Sequence, residues 1–138
     1  MGPAPFTGAA SVWKNVKSNE TGRFGENEAC RYLESRGYGI LMRNYRSRYG
    51  EIDIVAAKDG AVVFVEVKAR RDRAFAEAAQ AVGPSKQEKL RKTALCWFAE
   101  YGEQPARFDV LEIYTGTARR TAFGEAYRTE IRHIKNAF

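Results

Sequence analysis

Apolar positions along this chain recur with two different periods, and the periods name the elements. From Arg23 to Arg36 the residues Ala29, Cys30 and Leu33 fall at helical spacing, and Gly37 follows, a residue suited to the left-handed turn that ends a helix. Tyr38 to Arg48, with Ile40, Leu41 and Tyr45, reads as a first strand, broken by Gly50. Glu51 to Ala57 and Ala61 to Lys68 read as a second and third strand. Between them lies Lys58-Asp59-Gly60, and Asp-Gly is among the strongest short hairpin signals. Both strands are apolar on both faces except where charges fall, which suits central strands covered by helices on either side. Ser85 with Glu88 makes a capping box for a helix that turns Leu90, Ala94, Trp97, Phe98 and Tyr101 to one side and ends at Gly102. Phe108 to Tyr114 is again a strand, parallel to the third if the crossover is right-handed. A last strand or extended segment runs from about Tyr127 to Ile134.

Two segments lack a period. Residues 1–20, rich in Gly, Pro, Ala, Ser and Asn, read as a flexible tail, and residues 71–82, Ala-rich but interrupted by charges, as a loop or a short helix. The order α-β-β-β-α-β, with a C-terminal strand, predicts one α/β domain over residues 21–138. Its mixed central sheet is flanked by helices.

The hairpin sets a register. If Asp59-Gly60 is a two-residue turn, Lys58 pairs with Ala61, Val55 faces Phe64, and Asp53 stands across from Glu66. Opposed Cβ atoms lie roughly 4.5–5.5 Å apart. Lys68, two residues beyond Glu66, shares that face, and Glu51 projects there too. Two adjacent carboxylates repel, and burial makes ionising both of them costly. A divalent cation such as Mg²⁺ resolves the conflict, since it prefers oxygen ligands, keeps several waters and accepts a substrate phosphate. Lys68 would then orient a metal-bound water or stabilise charge developing on the phosphate. Stepping back along the first helix's apolar stripe lands on Glu26, whereas Glu28 points to the opposite side. The competing readings are an Asp–Lys–Glu ion-pair cluster at a sheet edge, and for Glu26 a favourable place in the positive first turn of its helix.

Composition narrows the setting. The 138 residues, 44% hydrophobic and 29% charged, suit one globular domain. No segment is both long and apolar enough to cross a bilayer, and Met1 to Ala10 lacks the pattern of a secretory leader, so a cytoplasmic protein is expected. Cys30 and Cys96 lie in separate helices and read as buried thiols of a reducing compartment. His133, the only histidine, stands at no recognised zinc spacing and is expected to be solvated or packed. The net charge of +6 favours a polyanionic partner. The basic residues cluster near the acids: Arg43, Arg46 and Arg48 before Asp53, Lys68, Arg70, Arg71 and Arg73 after Glu66, and Lys86, Lys89, Arg91 and Lys92 at the opening of the second helix. A phosphate track and a solvated charged surface both account for that distribution.

Asp53 followed by Glu66-Val67-Lys68 at the end of an apolar strand resembles the PD-(D/E)-x-K nuclease motif, with Ile52 where the motif has proline. Gly22-Arg23-Phe24-Gly25-Glu26 is similar to the segment that supplies an extra acid in archaeal Holliday-junction resolvases. The blocks GRFGENEACRYLESRGYGILMRNYRSRYGEIDIVAAKDG, VVFVEVKAR, VGPSKQEKL, RFDVLEI and HIKNAF together resemble the YraN family of bacterial proteins, over nearly everything after residue 20. The resemblance implies a restriction-endonuclease-like fold and hydrolysis of phosphodiester bonds, dependent on Mg²⁺ or Mn²⁺, with DNA that is branched or otherwise structured as the expected substrate and branched against linear left open. Asp53, Glu66 and the Val67 carbonyl would bind the metal, Glu26 would complete or extend the site, and Lys68 would position the attacking water. Arg43, Arg46, Arg48, Lys86 and Lys89 would hold the nucleic-acid backbone without reading bases. The alternative is a non-catalytic nucleic-acid-binding or partner-binding module that retains the nuclease fold. DNA against RNA, and monomer against homodimer, stay open.

Overall fold

Asp59 and Gly60 both adopt positive φ, 49° and 79°, as the mirror-image turn of a tight hairpin requires. That turn joins β2 (Gly50–Lys58) to β3 (Ala61–Arg70). Pairing runs from Lys58 with Ala61 to Ile54 with Val65, so Val55 meets Phe64 as the turn length dictates. The computed structural model describes residues 20–70, 82–114, 118–127 and 129–138. Residues 1–19 of the expected tail, and residues 71–81 of the expected loop or short helix, lie outside the described residues.

The remaining elements are α1 (Glu20–Ser35), β1 (Gly39–Ser47), α2 (Pro84–Tyr101), β4 (Ala106–Tyr114), β5 (Ala118–Thr121), β6 (Gly124–Tyr127) and β7 (Glu130–Ile134). Five strands form one mixed sheet in the order β1-β2-β3-β4-β7, parallel only between β3 and β4, which α2 connects in sequence. Helix α1 covers one face with Ala29, Cys30 and Leu33 against Ile54, Ala56, Val63 and Val65. Helix α2 covers the other with Leu90, Ala94 and Trp97 against Val55, Val62, Phe64 and Val110. This double covering is why β2 and β3 are apolar on both faces. Where α1 crosses β3 the approach is close: a Cβ on Gly25 would stand 2.7 Å from the Ala69 Cβ. No helix among the described residues is long and apolar enough to cross a membrane.

Two expectations are corrected. The capping box does not cap α2; Gly83 does, in extended conformation and without a side-chain bond, and Pro84 opens the helix. Proline's fixed φ and missing N–H suit a first helical position, so the helix starts one residue before Ser85. The segment expected as one strand from Tyr127 to Ile134 is divided. Tyr127 ends a hairpin in which β5 and β6 form their own two-stranded sheet, turning at Ala122-Phe123 with Gly124 at φ 115°, and β7 begins at Glu130.

Topology places three strand ends together. Because β2 runs antiparallel to β3 and β4 parallel to it, Gly50, Arg70 and Tyr114 lie at the same end of the sheet. The β1–β2 turn and the β5–β6 hairpin belong to that end as well, the hairpin being inserted between the ladder partners Tyr114 and Glu130.

Candidate active site

The pleat is irregular at Asp53, although the β1–β2 register is the same on either side of it and shifts only between Ile40 and Met42. Paired positions Arg43–Ile54 and Tyr45–Ile52 straddle Asn44, which sits at φ 56°, a left-handed conformation that Asn tolerates better than most residues. Ile52 packs with Val55 on the α2 face while Ile54 packs on the α1 face, so strict alternation fails there. The Asp53 side chain reaches the backbone of β3, where its Oδ2 accepts the Val67 N–H at 2.8 Å. Asp53 and Glu66 are thereby side by side, both buried. Burial, and next the charge and hydrogen bond of Asp53, push the Glu66 carboxyl up to about 7, against the opposing pull of Lys86.

Two ammonium groups attend Glu66. Lys68 Nζ stands 3.6 Å from its Oε2, and Lys86, from the first turn of α2, contacts the same oxygen more closely. Lys86 was expected along a nucleic-acid backbone; here it is part of the acidic site. Glu26, buried under α1, accepts a hydrogen bond from Asn44 Nδ2 at 3.0 Å and has the Arg43 guanidinium at 3.6 Å. Arg43 also donates to Asn27 Oδ1 at 3.0 Å, and its side chain is only 12% exposed. Glu26 therefore holds the β1 segment around Asn44 from the α1 side, and Arg43 pairs with the same carboxylate. Glu51 pairs with Arg46 at 3.2 Å.

Among the described residues no three His, Cys, Asp or Glu side chains converge on a point that could hold an ion. A cation at Asp53 and Glu66 would take two carboxylates, with a backbone carbonyl such as that of Val67, water and phosphate as its other ligands. That donor set suits Mg²⁺, which keeps much of its water and demands few protein ligands. Two buried carboxylates, one already reluctant to ionise, fit such an ion.

Sequence reasoning passed over two further buried acids. Glu112 on β4 lies beside Lys68 in the parallel ladder and is 0% exposed. Among the described residues neither of its carboxylate oxygens has a hydrogen-bond partner, and the Arg132 guanidinium, across the β4–β7 ladder, forms an ion pair with it at 3.5 Å. Its signal was a charge inside the apolar run Val110-Leu111-Glu112-Ile113. Asp109 anchors a separate network with Arg107, His133, Tyr38 and Tyr32. His133 Nε2 lies 2.7 Å from Asp109 Oδ2, its Nδ1 lies 3.1 Å from the Tyr32 hydroxyl, and Arg107 donates to Asp109 at 3.0 Å and to Tyr38 at 2.6 Å. Burial would raise the Asp109 carboxyl, but hydrogen bonds from His133, Arg107 and the Asn136 N–H outweigh it and hold it below the ordinary range. His133 is thus packed rather than solvated, and it ties β7 to β4 and α1. Cys30 and Cys96 are free thiols, and burial pushes Cys30 up to about 11, an unreactive value.

Basic groups gather at the β1–β2 turn. Arg48 donates to the Tyr49 hydroxyl at 2.7 Å and lies over its ring, Lys92 approaches the same ring at 5.4 Å, and Lys89 packs against Gly50. With Arg46 they rim the sheet end on which Lys68 lies.

The profile of the uncharacterised protein family UPF0102 matches residues 25–113. The chain is similar to a UPF0102 protein of Desulforamulus reducens, 39% identical over 89% of this chain and 98% of that protein. It is 42% identical to one of Mycolicibacterium vanbaalenii, over 84% of this chain and 91% of the relative. Another, of Treponema pallidum, is 42% identical over 85% and 90%.

Proposed function

The chain belongs to the uncharacterised protein family UPF0102, and for it we propose a divalent-metal-dependent nuclease of restriction-endonuclease-like fold that hydrolyses phosphodiester bonds in DNA. One observation carries the reading: the β2–β3 hairpin brings Asp53 against Glu66 in a buried site with the Lys68 ammonium 3.6 Å from Glu66. Hydrophobic packing does not require that arrangement, and burial penalises it. The PD-(D/E)-x-K resemblance of the same residues points the same way.

Asp53, Glu66 and the Val67 carbonyl would hold Mg²⁺ or Mn²⁺. When bound, such an ion polarises a phosphoryl oxygen and makes a coordinated water easier to deprotonate. The protein's own groups do the rest. Lys68 orients the attacking water and offsets negative charge gathering on the phosphate. Lys86 neutralises Glu66 while no cation does. Glu26 acts through Asn44 by holding that left-handed residue in place on the strand beside Asp53.

The test is cleavage by the wild-type chain of junction, flap and linear duplex DNA and of RNA, with Mg²⁺, with Mn²⁺ and with a chelator. Cutting of at least one DNA that stops on chelation is expected. Cutting of none with either metal overturns the reading and leaves a non-catalytic binding module.

The basic rim makes a separate prediction about backbone contact. Each phosphate contact contributes about 0.9 to the slope of log affinity against log salt on duplex DNA. Replacing Arg46, Arg48 and Lys89 together by alanine should therefore flatten the slope by about 2 to 3 and weaken binding alike on all sequences. Arg43→Ala should leave the slope unchanged, because its guanidinium is engaged with Glu26 and Asn27. Salt titrations of binding check both, and an unflattened slope in the triple variant places the phosphate track elsewhere.

A further inference from the structure

The candidate site is flanked on both sides at its end of the sheet. The β1–β2 turn with its basic rim stands on one side. On the other, past β4, the β5–β6 hairpin is inserted between the ladder partners Tyr114 and Glu130. The hairpin forms a sheet of its own. At its tip Phe123 is 101% exposed, far beyond Leu95 at 65% and Phe24 at 39%. A phenyl ring is among the most valuable groups a fold can bury, and one held in water at a turn contributes no burial to this fold. Single exposed apolar residues are ordinary, but this one tops a ribbon whose strands carry Arg119 and Arg120 against the one acid Glu125. An aromatic ring on a ribbon whose sequence supplies arginines is a combination suited to unpaired nucleic acid, since every base offers a face to stack on while cations track the backbone. Continuous duplex hides those faces.

We propose that the β5–β6 hairpin is a nucleic-acid arm, and that Phe123 stacks on an unpaired base beside the site, selecting DNA with single-stranded or branched segments over continuous duplex. The choice of ligand rests on the nuclease reading; the test does not require cleavage.

Binding is measured by fluorescence anisotropy with Ca²⁺ in place of Mg²⁺, on a single strand, a flapped duplex and a blunt duplex of equal length. Phe123→Ala should weaken the single strand and the flap by roughly five- to 150-fold and leave the blunt duplex unchanged. Phe123→Tyr, which keeps the ring, should bind like wild type. Thermal melts of the variants should superimpose on wild type, because the side chain lies outside both cores. Equal loss on the blunt duplex, or no loss on any DNA, overturns the arm. So does a change of Phe123→Ala from dimer to monomer in sedimentation with DNA affinities unchanged, which would assign the tip to a second copy of the chain. A wild type that shows the selectivity but cuts nothing refutes the nuclease reading and leaves the arm standing. One that cuts while Phe123→Ala binds as it does refutes the arm alone, and one that binds none of the DNAs refutes both.

Discussion

Lys68→Ala is expected to slow cleavage by about a hundred- to a thousandfold while nucleic-acid affinity stays nearly unchanged. The substitution leaves Asp53 and Glu66 in place, with Lys86 still on Glu66, so the acidic site survives. It also leaves the basic rim at the β1–β2 turn untouched. What goes is a cation 3.6 Å from Glu66, beside Glu112 in the ladder, where negative charge grows during in-line displacement. An interaction strongest in the transition state shows in rate rather than in binding. Lys68→Arg should recover only part of the rate, since a planar fork does not occupy the place of a compact ammonium. Single-turnover cleavage and a binding titration on one substrate separate the two quantities. Cleavage at the wild-type rate by Lys68→Ala would remove the residue from the mechanism.

Glu66→Gln is expected to make the metal-free protein more stable above neutral pH, by about 3 kcal/mol at pH 8, and to abolish stabilisation by Mg²⁺. The sign follows from the direction of the shift. Glu66 holds its proton up to about 7 in the fold, against an ordinary value of 4.5. Below pH 4.5 it is protonated whether the chain is folded or not, and its favourable contribution is fully present. As pH rises through 7 the folded protein must ionise a buried carboxyl beside Asp53, and that contribution is lost. Glutamine does not titrate, so the variant's stability should lack this slope, and the two proteins should converge towards pH 4.5. An ion that binds only the folded state returns stability to wild type, more so as Glu66 ionises, up to about pH 7. Denaturant melts across pH with chelator or Mg²⁺ decide it. If Glu66→Gln is less stable than wild type throughout, whether or not metal is added, Glu66 belongs to an ion-pair cluster instead.

The sequence by itself determined whatever depends on neighbours along the chain. Asp59-Gly60 demands positive φ locally, so the hairpin and its register could be counted outward from the turn. Alternation within one strand put Glu66 and Lys68 on one face, and two-sided apolar strands required a helix on each side. Tertiary structure decided whatever depends on elements far apart in sequence. Counting from the turn brought Asp53 towards Glu66, but the contact of its carboxylate with the Val67 N–H, and the left-handed Asn44 on β1 held by Glu26 of α1, belong to the fold. Lys86 and Arg43 looked like two members of one basic set; packing turned the first to Glu66 and the second to Glu26. Glu112 and Asp109 are charges in one apolar strand, which alternation puts on opposite faces without saying what each one meets there. Asp109 meets Arg107, His133 and a backbone N–H, while Glu112 meets the Arg132 guanidinium at 3.5 Å. Backbone conformation is chosen largely by adjacent residues, whereas a buried charge must be answered in space by whichever strand or helix the topology lays beside it.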